Sequence, residues 1–249
     1  MTTRRCNTGG MFWCEVPRDV VEVAGPDAAT YLQSQLSNDL RDLEVGASRW
    51  AFLLQPTGKI DVLLRVWRRS DEVFVLDTDA GFGDVMTARL NRFKIRVKAE
   101  ITTLAWRCIA VRGGAHDGLV AWGDGADLLG PFVDPPADVR AGTADELLAA
   151  RIAAAWPAMG AEIVPGRTIP AESGVIEQAV SFTKGCYPGQ ELVERMDSRG
   201  ATAPRSLAVV SVPDATAPGD PYVVDGVEVG TVTSVSGRTA LALVRRGST

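Results

Sequence analysis

The octapeptide KGCYPGQE, residues 184–191, is the stretch on which the interpretation of this sequence depends. It holds a lysine, a thiol, a phenol, an amide and a carboxylate, framed by two glycines and a proline. Downstream, the residues from Gln190 to Met196 predict a short helix, with Pro188 near its first turn. We therefore expect Cys186 just before a helix N-terminus, two residues from Lys184.

This predicted position favours a reactive thiol at Cys186. The helix dipole and the nearby ammonium of Lys184 both favour a thiolate over a thiol. The free N–H groups at the same helix start can hold a carboxylate or phosphate of a ligand. A second interpretation fits the residue types equally well: glycine and proline shape a turn, Tyr187 packs, and Cys186 is an inert buried thiol.

The composition of the whole chain is that of an ordinary globular protein. The 249 residues are 46% hydrophobic and 23% charged with a net charge of −5, which argues against disorder and allows one to three domains. No run rich in lysine and arginine is present, so we expect no duplex nucleic acid partner. Without an apolar run of about 18 residues or a signal-peptide pattern, the sequence predicts a cytosolic protein with no membrane span.

Histidine and cysteine usage excludes several kinds of site. The single histidine, His116, excludes any two-histidine metal site and lies in a glycine-rich stretch, where a solvated loop side chain is the simpler interpretation. The four cysteines match no C-x-x-C pattern, which predicts reduced thiols and no metal site. No glycine-rich phosphate-binding motif occurs, so we expect no nucleotide cradle.

An antiparallel β-meander is predicted in the first third of the chain. The runs Trp50–Leu54 and Ile60–Trp67 flank PTGK, residues 56–59, which is typical of a hairpin turn. A third strand follows at residues 72–77, and a short strand precedes the meander at residues 20–23.

Helical spacing predicts three further amphipathic helices, over residues 28–40, 82–93 and 145–156. Asn38 and Asp39 fall on the polar side of the first, and Pro157 is expected to stop the last. Strict alternation of apolar residues over residues 95–101 predicts a half-buried strand. Cys108 is expected in a later strand as a small buried hydrophobic residue.

Four short apolar segments follow residue 204, at residues 207–212, 222–224, 227–232 and 239–244. Asp225-Gly226, between the second and third segments, is a strong signal for a two-residue hairpin. Short strands at this spacing predict a small barrel or sandwich module. We therefore expect two domains, residues 1–200 and 201–249, with a boundary near residues 199–204.

The sequence resembles the YgfZ-type folate-binding proteins, relatives of the glycine-cleavage T-protein, an aminomethyltransferase. K-G-C-Y-x-G-Q-E is the signature of that family, and agreement extends to residues 31–39, 56–59, 90–96, 169–172 and 199–200. The resemblance covers nearly the whole chain beyond residue 20. It implies an α+β fold of antiparallel sheets with packed helices, ring-like around a central hole, plus a small C-terminal β-barrel-like module.

The same resemblance implies a function and a set of site residues. It implies tetrahydrofolate as cofactor, and iron–sulfur client proteins as partners, some of which modify tRNA. Cys186, the signature cysteine, is then the residue tied to activity, with Lys184 beside it as a second catalytic candidate. The candidate folate-binding residues are Tyr187, Gln190, Glu191, Asn38, Asp39 and Arg199. Helix capping is the alternative role for the Asn38-Asp39 pair, and a surface ion pair is the alternative for Arg199.

Two departures from the T-protein pattern argue against aminomethyl transfer. The T-protein carries an Asp-Asp pair where this chain has Val62 and Leu63, and a pterin-binding glutamate where it has Ala153. Losing one buried acceptor costs about 1–3 kcal/mol. We therefore expect a folate-dependent accessory factor that is not a true aminomethyltransferase. The alternatives are a scaffold that has lost its ligand and a one-carbon transferase that uses another acid: Asp61, Asp77 or Asp79.

Overall fold

The computed structural model describes residues 10–198 and 203–247, which fold into three sheets with helices packed on them. The strands of these residues are β1 Phe12–Glu15, β2 Arg18–Ala24, β3 Ser48–Leu54, β4 Ile60–Arg68, β5 Val73–Asp79, β6 Glu100–Leu104, β7 Arg107–Arg112, β8 Leu119–Val120, β9 Gly125–Gly130, β10 Arg140–Ala141, β11 Arg205–Ser211, β12 Pro221–Val224, β13 Val227–Ser236 and β14 Thr239–Arg245. The helices are α1 Ala28–Gln35, α2 Gly83–Arg92, α3 Ala144–Ala153, α4 Ile176–Ala179 and α5 Gln190–Ser198. The α+β fold with antiparallel sheets is confirmed.

The first sheet has the order β3-β4-β5-β2-β6 and contains the predicted meander. Helices α1 and α2 pack against it, and their apolar side chains share one core cluster with alternate strand residues. The opposite face of the same strands packs against residues 156–193 in a second core cluster. Burial on both faces explains why β3 and β4 are nearly continuous apolar runs.

The second sheet has the order β10-β1-β7-β9-β8, in which only the β1–β10 pair is parallel among the described residues. Cys108 lies in β7 and is buried, as predicted. Helix α3 follows this sheet and begins with a capping box, in which Thr143 and Glu146 satisfy each other's backbone N–H groups. The helix packs on β13 and β14 of the third sheet.

The third sheet has the order β11-β14-β13-β12 and forms the small C-terminal β module that the sequence predicts, although the sheet is open within the described residues. The Asp225-Gly226 hairpin is confirmed, with φ of +50° and +80° at its two turn residues. A bidentate ion pair between Arg205 and the buried Glu172 fixes the start of β11 to the preceding segment.

Three predicted elements have different limits in the structure. Helix α1 ends at Gln35 because Leu36 is extended, so residues 36–40 are not helical. The strand predicted over residues 95–101 is wrong: β6 begins at Glu100, and Ile95 is 78% exposed. Helix α3 ends at Ala153, well before Pro157. No helix of the described residues is long and apolar enough to cross a membrane.

Candidate functional site

Lys184 anchors the signature loop, residues 184–191, to the end of α1. Its buried ammonium donates to the carbonyl oxygens of Gln33 and Leu36, at 2.6 Å each, and of Asn38, at 2.9 Å. Burial lowers the pKa of Lys184 to about 8, with Asp39 acting in the opposite direction. All three N–H donors of the ammonium are therefore engaged by backbone, and a catalytic role for Lys184 stays a prediction.

Cys186 is exposed, whereas Cys14 and Cys108 are buried. Burial raises the pKa of Cys108 to about 12, so that thiol stays protonated and inert. Gly185, the residue before Cys186, faces open space, since a methyl group added there would meet no atom of non-neighbouring residues within 4 Å. Helix α5 begins four residues after Cys186, as the sequence predicts. Cys6 lies outside the described residues.

The other signature side chains have three different environments. Tyr187 is buried in the second core cluster, and burial raises the pKa of its phenol to about 12. Gln190 accepts a hydrogen bond from the backbone N–H of Tyr187 at the start of α5. Glu191 is exposed and pairs with Arg195 one turn along the helix. Arg199, the last candidate of this group, lies outside the described residues.

The Asn38-Asp39 pair lies in the loop after α1 and not on the polar side of a helix. Asn38 is buried, and its amide donates to the carbonyl oxygens of Trp50 and Gln178, at 2.9 Å each. Asp39 pairs with Arg41, which holds the pKa of that carboxyl well below its usual range. Both side chains have protein partners that tie this loop together.

The signature loop packs directly on the β3–β4 hairpin. A methyl group at Gly189, which has a φ of +84°, would lie 2.5 Å from the carbonyl oxygen of Gln55. A methyl group at Gly58, with a φ of +81°, would lie 2.5 Å from Leu192 in α5. Glycine at both positions allows this close approach. Two of the sequence stretches that carry the family resemblance, residues 56–59 and 184–191, are therefore in contact.

A cavity of about 380 Å³, the central cavity, lies where the first two sheets meet α3. Two tryptophans and Met159 form apolar parts of its wall, and three arginines and two aspartates form polar parts. Its charged and aromatic lining residues are Arg18, Asp79, Arg112, Trp122, Asp127, Arg151 and Trp156. None of the signature residues lines it.

An alternating chain of charges forms one wall of this cavity and the layer behind it. Buried Arg65 binds Asp77 through two nitrogens, at 2.9 and 3.0 Å, and Asp127 through a third, at 2.7 Å. Arg18 also holds Asp77, and Arg112 also holds Asp127. Burial alone would raise the pKa of Asp127, but Arg65 and Arg112 lower it below its usual value. Each of the two buried carboxylates is therefore paired with two arginines.

The positions that depart from the T-protein pattern lie near the cavity without supplying an acid. Leu63 packs in the core cluster that also contains Trp156 and Met159, two cavity-lining residues. Val62 points to the helix side of the sheet. Ala153 is exposed at the end of α3. Of the alternative acids, Asp79 lines the cavity with 37% of its side chain exposed.

Helix α3 also links the cavity to the third sheet. Arg151 lines the cavity, and its guanidinium donates to Glu162 at 2.9 Å and to Ser234 of β13 at 2.6 Å. The buried carboxylate of Glu162 accepts a further hydrogen bond from Ser234. The cavity is therefore connected to all three sheets, although sequence reasoning identified none of its charged residues apart from Asp79, named there as an alternative acid.

Two family models match separate parts of the chain. Residues 18–124 match the GCVT N-terminal domain, and residues 205–248 match the CAF17 C-terminal beta-barrel domain. The structure also resembles a glycine cleavage system aminomethyltransferase T from Bartonella henselae, with a TM-score of 0.72 and 18% identity, over 95% of this chain and 78% of that one. At this identity the likeness shows a shared fold.

Three related proteins align with most of the chain. An uncharacterized protein of Haemophilus influenzae is 30% identical over 191 residues, covering 73% of this chain and 67% of that protein. The human iron-sulfur cluster assembly factor IBA57, mitochondrial, is 27% identical over 89% of this chain and 70% of its own length. The Phaeosphaeria nodorum IBA57 homolog is 26% identical over 77% of this chain and 53% of its own length. The chain thus spans between about half and 70% of these relatives.

Proposed function

The chain belongs to the superfamily of the glycine-cleavage T-protein (GcvT), and on this basis we propose that it is a folate-binding accessory factor in iron–sulfur cluster assembly. The relatives named as iron–sulfur cluster assembly factors support the assembly role. The proposed factor binds folate and presents a thiol to client proteins, and it does not transfer aminomethyl groups. A place in the YgfZ branch, tRNA-modifying clients and a cytosolic location stay predictions from the sequence.

The observation that carries this proposal is the exposed thiol of Cys186 on an anchored loop. Lys184 ties the loop to the segment after α1, the buried side chain of Tyr187 packs in the core, and Gly189 packs on the β3–β4 hairpin. A reactive group is positioned best when its supporting side chains are locked by packing and hydrogen bonds. The arrangement therefore suits a thiol that meets a macromolecular partner at the surface.

The cavity at the junction of the sheets supports the folate part of the proposal. Its volume, about 380 Å³, lies within the range of about 300–1,000 Å³ that is common for ligand pockets. Trp122 and Trp156 offer aromatic surface to a flat ring, and buried Arg112 has a guanidinium nitrogen without a partner. These residues fit a heteroaromatic ligand, and bound tetrahydrofolate would supply a carrier of one-carbon units there.

A one-carbon transferase is the second candidate, and Asp79 is the observation that favours it. Asp79 lines the cavity and is partly exposed, whereas Asp77 is fully buried and held by two arginines. The leucine at position 63, in the core beside the cavity, disfavours this alternative because it supplies no acid. A scaffold without a ligand is the third candidate, since Ala153 cannot accept a hydrogen bond through its side chain.

Complementation tests the role of the thiol. A bacterial strain lacking its own iron–sulfur accessory member of the superfamily would receive the wild-type chain, Cys186→Ala or the control Cys14→Ala, which changes a buried cysteine outside the cavity lining. We expect wild type and Cys14→Ala to restore activity of the iron–sulfur enzymes and Cys186→Ala to restore little. Equal restoration by Cys186→Ala would remove the assigned role of this cysteine.

Ligand measurements separate the three candidates. Calorimetry with tetrahydrofolate should show binding if the cavity is a folate site, and absence of binding would leave only the scaffold. Turnover of tetrahydrofolate with an aminomethyl donor should yield no product. Product formation that is lost in Asp79→Asn would establish the transferase instead.

A further inference from the structure

We propose that Arg112 is a specificity-determining residue of the central cavity, and that its Nε–Nη2 edge binds a planar pair of acceptor atoms on the ligand. Such a pair occurs in a carboxylate and in the oxo and ring-nitrogen edge of a pterin. The inference rests on the folate function proposed above and assigns one subsite within it.

The hydrogen bonds of Arg112 leave one edge of its guanidinium free. Nη1 donates to the carbonyl oxygens of Val111 and Ala126, at 2.8 and 3.1 Å, and to a carboxylate oxygen of Asp127, at 2.8 Å. Nε is buried and has no partner. Among the described residues, no hydrogen bond involves Nη2 either. The two nitrogens without protein partners form the side of the fork that binds acceptors in pairs.

A free edge on a buried arginine is unusual in energetic terms. Arg112 is only 2% exposed, and a buried donor without an acceptor costs about 1–3 kcal/mol. Native structures seldom keep such a group unless a ligand, an ion or water satisfies it. Arg112 is among the residues that line the central cavity, so a ligand bound there can supply the missing acceptors.

The surroundings of Arg112 fix its guanidinium in place. Its central carbon lies 4.0 Å from the ring centre of Trp122, at cation–π distance, on one face. Asp127, which is itself held by Arg65, binds the guanidinium on its Nη1 side. A fork held in this way loses little conformational entropy when it binds a ligand, which favours planar acceptor pairs over single atoms.

The chemistry of such an edge defines the ligand that it selects. A side-on guanidinium recognises two in-plane acceptors, as arginine does with carboxylates and with the O6 and N7 atoms of guanine. A lysine at the same position keeps the positive charge beside Asp127 but offers a point charge without a fork. Arg112→Lys therefore removes the paired donors while the buried Asp127 keeps both cationic neighbours.

The test is a calorimetric comparison of wild type, Arg112→Lys and a matched control, Arg140→Lys. Arg140 lies in the same sheet, stacks on Phe12 and pairs with Glu146, but it does not line the cavity. Each protein is titrated with 5-formyltetrahydrofolate, with 6-methyltetrahydropterin, and with p-aminobenzoylglutamate, which carries only the carboxylate half. Thermal unfolding of all three proteins checks that each is folded.

We expect Arg112→Lys to bind 5-formyltetrahydrofolate about 10- to 100-fold more weakly than wild type. This change corresponds to the loss of one bidentate contact of about 1–3 kcal/mol. Arg140→Lys should bind with the affinity of wild type. A loss confined to the pterin identifies the oxo and ring-nitrogen edge as the partner, and a loss confined to p-aminobenzoylglutamate identifies a carboxylate. Unchanged affinity for all three ligands in a folded Arg112→Lys overturns the inference and leaves the folate function standing. Absence of folate binding to wild type overturns both.

Discussion

The signature loop and the central cavity differ in how their residues are brought together. The loop is a continuous segment, residues 184–191, whose polar side chains are mostly engaged by the protein itself. The cavity draws its lining from residues 16 to 159, and it leaves part of an arginine and part of an aspartate available.

This difference separates a folding motif from a binding surface. Within the signature, Lys184 and Tyr187 hold the loop in position, and Cys186 is the exposed side chain with nucleophilic chemistry. In the cavity wall and the layer behind it, five charged residues hold one another, and the free edge of Arg112 has no protein acceptor among the described residues. A dense sequence motif can therefore serve mainly to present one atom, whereas a ligand site can lack any local motif.

The largest effect is expected from removing the centre of the cavity's charge chain. Arg65→Met leaves Asp77 and Asp127 buried with one cationic neighbour fewer each, and we expect the free energy of unfolding to fall by about 3–5 kcal/mol. Denaturant unfolding measures this loss. The control is Arg140→Met, which breaks an exposed pair with Glu146 and should leave the unfolding midpoint nearly unchanged. Equal unfolding free energies for the two variants would show that the alternating charges around Arg65 do not stabilise the fold.

A smaller loss is expected at the anchor of the signature loop. Lys184→Met leaves three carbonyl oxygens at the end of α1 without their donor, which should cost about 1–3 kcal/mol of stability. We also expect faster alkylation of Cys186, because the loop is no longer fixed. An unfolding free energy equal to that of wild type would show that water replaces the ammonium without loss.

The contact between the loop and the hairpin should respond next. Gly189→Ala forces a side chain into a left-handed conformation at a φ of +84° and against the carbonyl oxygen of Gln55. The strain costs about 1–2 kcal/mol, measured as a lower midpoint in thermal unfolding. Gly185→Ala is the matched control in the same loop, because its added methyl group meets open space. If both variants melt together, the loop does not depend on this contact.

The smallest effect is a gain in stability beside the cavity. Ala155 follows α3 with a φ of +52°, a left-handed conformation that favours glycine. Ala155→Gly should raise the free energy of unfolding by up to about 1 kcal/mol, because glycine adopts this conformation without strain. Ala154→Gly changes the residue just after α3, whose backbone has ordinary right-handed angles, and should lower the free energy of unfolding by about 0.5–1 kcal/mol. Denaturant unfolding should therefore show changes of opposite sign in the free energy of unfolding, and a loss of stability in both variants would contradict strain at Ala155.

Much of the fold could be predicted from local patterns. The β3–β4 hairpin has a turn between two apolar runs, and the Asp225-Gly226 turn sets the β12–β13 pairing. The predictions of secondary structure were wrong where tertiary contacts override the local hydrophobic pattern. Residues 95–99 alternate like a strand, yet the chain runs past the start of α1, where Asp27 accepts a hydrogen bond from the backbone N–H of Lys98. Helix α1 ends at Gln35, and Lys184, which is distant in sequence, donates to carbonyl groups at this end.

The candidate site could be predicted only in part. The chemistry around Cys186 is visible because its residues are neighbours in the sequence. The burial of Arg65, Asp77 and Arg112 cannot be deduced from strand patterns, since isolated charges in strands usually indicate a solvated face. Their pairing across two sheets depends on sequence separations of up to 62 residues, as for Arg65 and Asp127.

Site-resolved alkylation of the native protein tests the central claim most directly. The purified chain is treated with iodoacetamide, and modification of each cysteine is followed by peptide mass spectrometry, with and without 5-formyltetrahydrofolate. We predict that Cys186 reacts at least about 100-fold faster than buried Cys14 and Cys108, which become accessible only through local or global opening. Modification of Cys186 as slow as that of Cys108 would contradict an exposed, presented thiol.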